Sequence, residues 1–449
     1  MSVPQRRIVW TNKSVLKFAG EADPILAMEA KARDLVLRAR DHGWSGPPYN
    51  PIAIADLLKI RVEANSDVID ARTVPAKGGV LIEFNPTRPR ERVRFSVAHE
   101  IAHTLFADVA DETRHRGGSG STSDEWQLEL LCNLAAAEFV MPLGSLPPSE
   151  RLPKIEVLMM ERRKFDVSAE AFLMRMVKTT SEAALMFCAS PTESAQARHR
   201  YRIDYCIGSK SAPVVLGAGT LIPNESIVYG CTAIGQTNRA TETWITDQPL
   251  ETECVGIPSF PGSTYPRIGG IVRFANTDSE QDGFKIVHGD VLKPIGGGPK
   301  IICQLINDQA KTWGGGVARS TAKKYPQAQQ TFASWITQLR RRERLGRVHF
   351  SEIDSNLTIA SLIAQEGFGA SSEPRIRYAP LAQAFSAVAE FAIEHKATVH
   401  MPRIGAGQSG GAWNTVEDIV RDTLVAQGVS VTVYDLPPKR QGAQAELFT

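Results

Sequence analysis

The chain has 449 residues, with 51 basic and 49 acidic side chains for a net charge of +2. That length supplies two to four domains with full hydrophobic cores, and the charge balance excludes a whole-chain pull toward nucleic acid or membrane. Six scattered cysteines (132, 188, 206, 231, 254, 303), no apolar signal core in Met1-Ser-Val-Pro-Gln-Arg-Arg7 and no run of membrane-spanning length predict a soluble cytoplasmic protein without a disulfide framework.

Residues 1–24 read as a weakly structured lead-in. A helix is predicted from Pro24 to Asp41, with Leu26, Ala30, Leu35 and Val36 inward, ending before Gly43 and the turn-rich Gly46-Pro-Pro-Tyr-Asn-Pro51. A second covers Ile52 to Leu58. Arg61-Val-Glu-Ala-Asn65 and Gly79-Val-Leu-Ile-Glu-Phe84 alternate as strands. The latter is a candidate edge strand for holding an extended peptide by main-chain pairing, or equally an ordinary core strand.

The stretch from Arg94 to Phe106 carries Val97, Ala98, Ile101, Ala102, Leu105 and Phe106 at helical spacing, with His99 and His103 one turn apart on one face. Two imidazoles so placed can share a metal ion. Glu100 is then positioned as general base for water whose pKa a zinc ion lowers toward ~7. After the Gly/Ser-rich His115–Thr122 stretch, a capping box, Thr122-Ser-Asp-Glu125, opens a helix with apolar Leu128, Leu131, Cys132, Ala135 and Phe139. Glu129 and Asn133 share another face of it, and a carboxylate there can reach the metal.

The run Glu129-Leu-Leu-Cys-Asn-Leu-Ala-Ala-Ala-Glu-Phe-Val-Met-Pro142, following His99-Glu-Ile-Ala-His103, resembles the ImmA/IrrE family of metallopeptidases over roughly residues 25–180. Those proteins pair a zinc-helix motif with a later Glu-x-Leu-Cys-Asn helix. The resemblance implies Zn2+ as cofactor, His99, His103 and Glu129 as ligands, Glu100 as general base and Glu138 as a non-ligand. Ala135 departs from a family phenylalanine, which touches packing and not chemistry.

Residues 151–180 are helical in character. Phe165-Asp-Val-Ser168 leading into Ala169–Val177 has the form of half a helix-turn-helix, but it lacks a basic face, so direct DNA binding is not expected. The polar Ser190–Gln196 stretch marks a boundary. Beyond it Tyr201–Ile207, Val214–Leu221, Thr241–Ile245 and Gly269–Phe274 read as strands of a β-rich module, 190–275.

In the last third, strands at Phe284–Val287, Lys300–Ile306, Leu357–Ile363, Thr398–Met401 and Val429–Tyr434 alternate with helices near 316–325, 328–342, 380–395 and 415–427. That is an α/β layout, and ligands in such folds bind beyond the carboxyl ends of the strands. Two glycine-rich loops fall there: Trp313-Gly-Gly-Gly-Val317, and Ile404-Gly-Ala-Gly-Gln-Ser-Gly-Gly411 before a helix opened by Asn414 with Glu417 three residues on. Such loops let backbone amides approach a diphosphate.

His288-Gly-Asp-Val-Leu292, Asn307 to Ser320, Met401-Pro-Arg-Ile-Gly-Ala-Gly407 with Trp413, and Val431–Leu436 resemble macrodomains, the ADP-ribose-binding fold, in the branch holding the terminal ADP-ribose glycohydrolase and the DarG antitoxin. The resemblance implies Asp290 on the adenine amine with Val291 beside it, and Asn307 near the distal ribose. It implies Gly314, Gly315, Gly316, Val317, Gly405, Ala406, Gly407, Gln408, Ser409 and Gly410 around the phosphates. Hydrolysis in that branch uses a lysine where this chain has Gln365-Glu366 and, in one subgroup, an aspartate where it has Ser409. Binding is therefore better supported than hydrolysis, with Glu366 left as an alternative base.

The expected architecture is multidomain α+β and α/β: lead-in 1–24, a mainly helical zincin-like domain with a small sheet at 25–189, the β-rich module at 190–275, a macrodomain at 280–440 and a tail at 441–449. The expected activity is zinc-dependent endoproteolysis of a regulatory protein such as a transcriptional repressor, with ADP-ribose or an ADP-ribosylated macromolecule as ligand, in a stress-response or toxin–antitoxin setting. Two alternatives stand beside it: an antitoxin-like ADP-ribosyl hydrolase with the zinc domain as docking module, and a non-enzymatic ADP-ribose-reading scaffold.

Overall fold

The computed structural model describes residues 9–109, 114–115, 124–147, 151–192, 200–246, 248–259, 265–274, 283–369, 371, 373–407 and 409–436. The chain divides into two compact units, 1–278 and 279–449. The first opens with α1 (Lys13–Ala19), α2 (Pro24–Asp41) and α3 (Ile52–Leu57). From residue 9 onward this corrects the expected lead-in. Asn12 caps α1 through the Val15 amide at 3.1 Å, while Gln127 accepts from the Thr11 and Asn12 amides and donates to the Val9 carbonyl. Side-chain amides, which leave no hydrophobic period, hold the segment in place.

Strands β1 (Arg61–Ala64), β2 (Ala71–Ala76) and β3 (Gly79–Phe84) precede α4 (Arg90–His103), the two-residue β4 (Arg114–His115) and α5 (Glu125–Val140). The sheet order is β1-β3-β2-β4. β3 pairs in parallel with β1 and antiparallel with β2, so both its edges are used and it is not the peptide-accepting edge strand. On its other side, among the described residues, β2 pairs with β4 at Arg72 and Thr73. Helix α5 starts behind Asp124 without a side-chain cap, and Thr122 and Ser123 of the expected capping box fall outside the described residues.

Helices α6 (Ile155–Phe165) and α7 (Ala169–Thr179) lead to an antiparallel sheet of β5 (Ala184–Thr192), β6 (Arg200–Gly208), β7 (Thr237–Glu242), β8 (Leu250–Ile257) and β9 (Arg267–Arg273), ordered β6-β5-β9-β8-β7. The expected strand at 214–221 is absent among the described residues. Only an Arg202–Leu221 bridge forms, because Gly219 at φ +89° turns the chain out of line. Helices and sheet share one core: Ala184, Met186, Val255 and Ile271 join Phe139, Phe165 and Phe172. Leu173 of α7 packs so close to β9 that a side chain at Gly269 would sit 3.2 Å from its Cδ1. The half helix-turn-helix is thus a packing element. Arg273 completes the junction, donating to Glu182 and Glu253 and to the Leu152 and Pro153 carbonyls ahead of α6.

The second unit contains β10 (Phe284–His288), β11 (Lys300–Asn307), α8 (Gly316–Lys324), α9 (Pro326–Ile336), β12 (Val348–Asp354), β13 (Leu357–Gln365), α10 (Tyr378–Glu394), β14 (Thr398–Pro402), α11 (Trp413–Thr423) and β15 (Val431–Asp435). The six strands run β10-β15-β14-β11-β13-β12, all neighbours parallel except β12 with β13. Strands buried nearly end to end, such as Leu357–Gln365, are what helix-covered parallel sheets require. The expected near capping box at Asn414 is corrected. Helix α11 begins at Trp413 without a side-chain cap, and Glu417 instead accepts from the Trp413 indole at 2.9 Å and pairs with Arg421.

Within this sheet His400 is 2% exposed, held between the Tyr434 hydroxyl (3.1 Å) and Thr398 Oγ1 (2.8 Å). Burial, with Lys300 and Lys285 nearby, pushes its pKa down to about 4. Above the unfolded value of ~6.5 both states are neutral; below it the unfolded chain gains a proton that the folded one refuses. Stability is therefore lost as pH falls from about 6.5 toward 4. The expected outcome is a urea midpoint that drops over this window in the wild type and drops less in His400→Gln.

Candidate functional site

Helix α4 is buried throughout its last two turns, from Ser96 to His103. Val97, Ala98, Ile101 and Ala102 fix its position, and the remaining face carries His99, Glu100 and His103 at 0%, 0% and 2% exposure. Helix α5 crosses it and brings in Glu129. The two imidazole Nε2 atoms are 3.1 Å apart, and the Glu129 oxygens lie 3.1 Å from His99 Nε2 and 3.3 Å from that of His103. A tetrahedral ion with bonds of about 2.0–2.1 Å sets its donors about 3.3 Å apart, so the set fits zinc. His99, Glu100 and His103 also place ligand atoms within 4.8 Å of one another. Glu129, close to both imidazoles, is the better third ligand, because Glu100 is engaged elsewhere.

That engagement is with β2. Thr73 Oγ1 donates to Glu100 Oε2 at 2.8 Å, while Glu100 Oε1 is buried without a hydrogen-bond partner. Asn133 Oδ1 accepts from His99 Nδ1 at 3.0 Å, the contact that fixes the tautomer exposing Nε2. Burial holds His99 below its ordinary pKa. Burial also opposes charge on Glu129, but hydrogen bonds from both imidazoles outweigh it and lower its pKa. On His103 burial is overcome by the Cys132 sulfur and the Glu129 and Glu100 carboxylates, so this ring keeps its proton more strongly. A cation bound among these donors would displace that proton. Glu138 is no ligand: it is buried between Arg33 and Arg175.

The second unit gathers the other predicted residues. Because β10, β15, β14, β11 and β13 are parallel, their carboxyl ends share one edge. Asp290, exposed, turns the chain after β10 by accepting from the Leu292 amide at 2.9 Å, with Val291 buried beside it. Asn307 ends β11 and accepts from the Gln309 amide at 3.0 Å. Gly314 and Gly315 are exposed, and α8 starts at Gly316 (φ +52°) ahead of Val317 with no side-chain cap, leaving its first amides for an anion. After β14, Gly405 (φ +76°) packs so tightly that a Cβ would lie 2.2 Å from Ile376 Cδ1. Ala406, Gly407 and Gly410 are exposed, and space at Gly407 is open. Gln408 lies outside the described residues.

Neither candidate hydrolytic position is free. Ser409 is buried and donates to Gln365 Oε1 at 2.7 Å, and its carbonyl accepts from the Arg375 amide. Glu366 is paired with Arg377 at 2.8 Å. Sequence reasoning missed Thr73, which sits on an unforeseen strand, and Arg403, which grips Asp435 at 2.6 and 2.9 Å and covers the Trp413 ring at 4.9 Å. The pairing of Glu129 with Asn133 on one helix face did signal a polar role for Asn133.

Two histidines and a glutamate converging beside a buried carboxylate define a metallopeptidase type of centre. Residues 60–177 match the model of one such family, Peptidase_M78, the IrrE N-terminal-like domain. An alignment of 173 positions, covering 36% of this chain and 16% of the relative, is 27% identical to chromodomain-helicase-DNA-binding protein 1-like of Danio rerio. Three solved structures each match over 34% of this chain. They are a protein of unknown function from Bacteroides thetaiotaomicron (38% identity, 98% of that chain, TM-score 0.32), a macrodomain protein from Streptomyces coelicolor (32%, 99%, 0.30) and the macrodomain of Thermus aquaticus DarG (19%, 97%, 0.29).

Orienting contacts of this kind support metal affinity by about 10–100-fold. Asn133→Ala is expected to weaken zinc binding by about that factor in a chelator competition, and Glu129→Ala, which removes a ligand, by more.

Proposed function

We propose that the chain is a zinc-dependent endopeptidase acting on a regulatory protein, whose second unit binds ADP-ribose or an ADP-ribosylated partner and so regulates or targets cleavage. The observation that carries the reading is the convergence of His99, His103 and Glu129 beside a carboxylate held by Thr73. His99, His103 and Glu129 would hold zinc, which supplies the Lewis acidity that makes water a nucleophile near neutral pH. Glu100 accepts the proton at its unpartnered Oε1, with Oε2 fixed by Thr73, and passes it to the leaving amine.

For the second unit, support comes from one sheet edge bearing an uncapped helix start, an open glycine loop and Asp290. The bonds that occupy Ser409 and Glu366 favour binding over hydrolysis.

Two measurements test the reading. Calorimetric titration of ADP-ribose into the full chain is expected to show binding that Gly407→Glu abolishes, since a carboxylate placed in that open space repels phosphate. In cells, Glu100→Gln is expected to leave zinc content unchanged and to stabilise the regulatory target, with cleavage reduced by about 10²–10⁴-fold. Equal target turnover by wild type and variant would refute proteolysis.

A further inference from the structure

The near-neutral charge of the whole chain conceals a local excess. From Lys300 to Phe350 there are ten Lys or Arg side chains and two acids, Asp308 and Glu343. Neither acid is free: Glu343 lies against Arg342 at 3.9 Å, and the buried Asp308 accepts from Arg341 Nε at 2.8 Å. Arg344 anchors the cluster by donating to the Leu339, Ile336 and Asp308 carbonyls. Arg341 and Arg342 remain 61% and 76% exposed, and Arg340 and Arg347 are exposed as well.

A run of exposed arginines is ordinarily a solvated face. What distinguishes this one is the second oxygen of Asp308. It accepts from the Gly367 amide at 2.7 Å, and the next residue, Phe368, is 67% exposed. The segment carrying that ring is tied down on both sides. Gln365 Nε2 donates to the Gly367 carbonyl, Arg375 Nε to that of Gly369, and the Glu366 amide to that of Arg375. Of the two acids in this stretch, Glu366 is paired with Arg377, and Glu373 is exposed with its amide held by Ser371 Oγ. One buried carboxylate therefore positions both a guanidinium cluster and a protruding aromatic ring at the carboxyl end of β11.

We propose that this edge binds single-stranded nucleic acid, with Arg340, Arg342 and Arg347 taking backbone phosphates and Phe368 stacking on a base. Guanidinium groups suit phosphate, and an exposed ring on a tied segment suits an unpaired base, which a duplex hides and an acidic peptide lacks. The surface uses neither the glycine loops nor the zinc ligands, so it stands or falls independently of the proposed activities.

The test is fluorescence anisotropy of a labelled oligo(dT) of about 15 nucleotides with the full chain. The expected result is binding that weakens with salt, falls about tenfold or more in the Arg340→Glu/Arg342→Glu double variant and about fivefold in Phe368→Ala. Both variants alter exposed side chains, so unchanged thermal melting confirms that they fold. Gly407→Glu is expected to bind the oligonucleotide as the wild type does. The proposal is overturned if oligo(dT) does not bind, if the arginine or phenylalanine variants bind it normally, or if Gly407→Glu abolishes binding. It is equally overturned if duplex DNA or polyglutamate competes as well as unlabelled oligo(dT).

Discussion

Three ionisable side chains carried through a hydrophobic core are the constraint on which the first unit depends. His99, Glu100 and His103 lie where desolvation penalises every unpartnered polar atom, and they are tolerated because each faces an element that offers a complement. Thr73 on β2 meets Glu100, Asn133 on α5 meets His99, and Glu129 meets both imidazoles. The positions of β2 and α5 relative to α4 are therefore chemical as well as steric. Glu100 Oε1, left without a partner, lies beside the imidazoles and Glu129 and is the atom free to take up a proton there.

A different rule organises the second unit. Five parallel strands deliver their carboxyl-terminal loops to one edge, and helix-covered faces leave that edge as the place where main-chain groups meet solvent. Gly405 shows how tightly the edge is built: its φ of +76° and the neighbouring Ile376 together exclude any side chain. Gly407, two residues on, has open space around it. One glycine is there for the fold and the other leaves room for a ligand.

Much of this was legible in the sequence. Helical spacing marked α2 and α4, although α2 turns Met28 and Ala32 inward with Leu35 and Val36 while Leu26 and Ala30, expected inward, are exposed. Continuous apolar runs marked β11 and β13, which bury both faces. Spacing alone put His99 and His103 on one helix face, whereas Glu129 was singled out by the resemblance of its helix to the metallopeptidase pattern; the fold brings the three side chains together. Other features were hidden for definable reasons. β2 contains Pro75, which lowers any strand expectation, and so Thr73 was lost with it. β8 carries Glu251 and Glu253, whose charges break its apolar run even though Glu253 is fully buried against Arg273 and the Ile155 amide. The strand expected at 214–221 failed in the opposite sense, since Val214, Val215 and Leu216 give an apolar run that Gly217 and Gly219 then bend away. Long-range polar pairing leaves no period along the chain, so it is visible only when the fold brings the partners together.

The Gln365–Ser409 bond bears on what the second unit can do. A lysine or aspartate at these places would bring charge to the ligand edge, and each would need room to move a proton or attack a carbon. The chain instead joins two neutral groups at 2.7 Å, while the Ser409 carbonyl accepts from the Arg375 and Ile376 amides. The glycine loop after β14 is thereby tied to the end of β13 and to the segment leading into α10. Such ties lower the entropy lost when a ligand orders the loop, which favours affinity. They also engage the Ser409 proton and the Gln365 oxygen with each other, so neither group can act on a ligand without first breaking that bond.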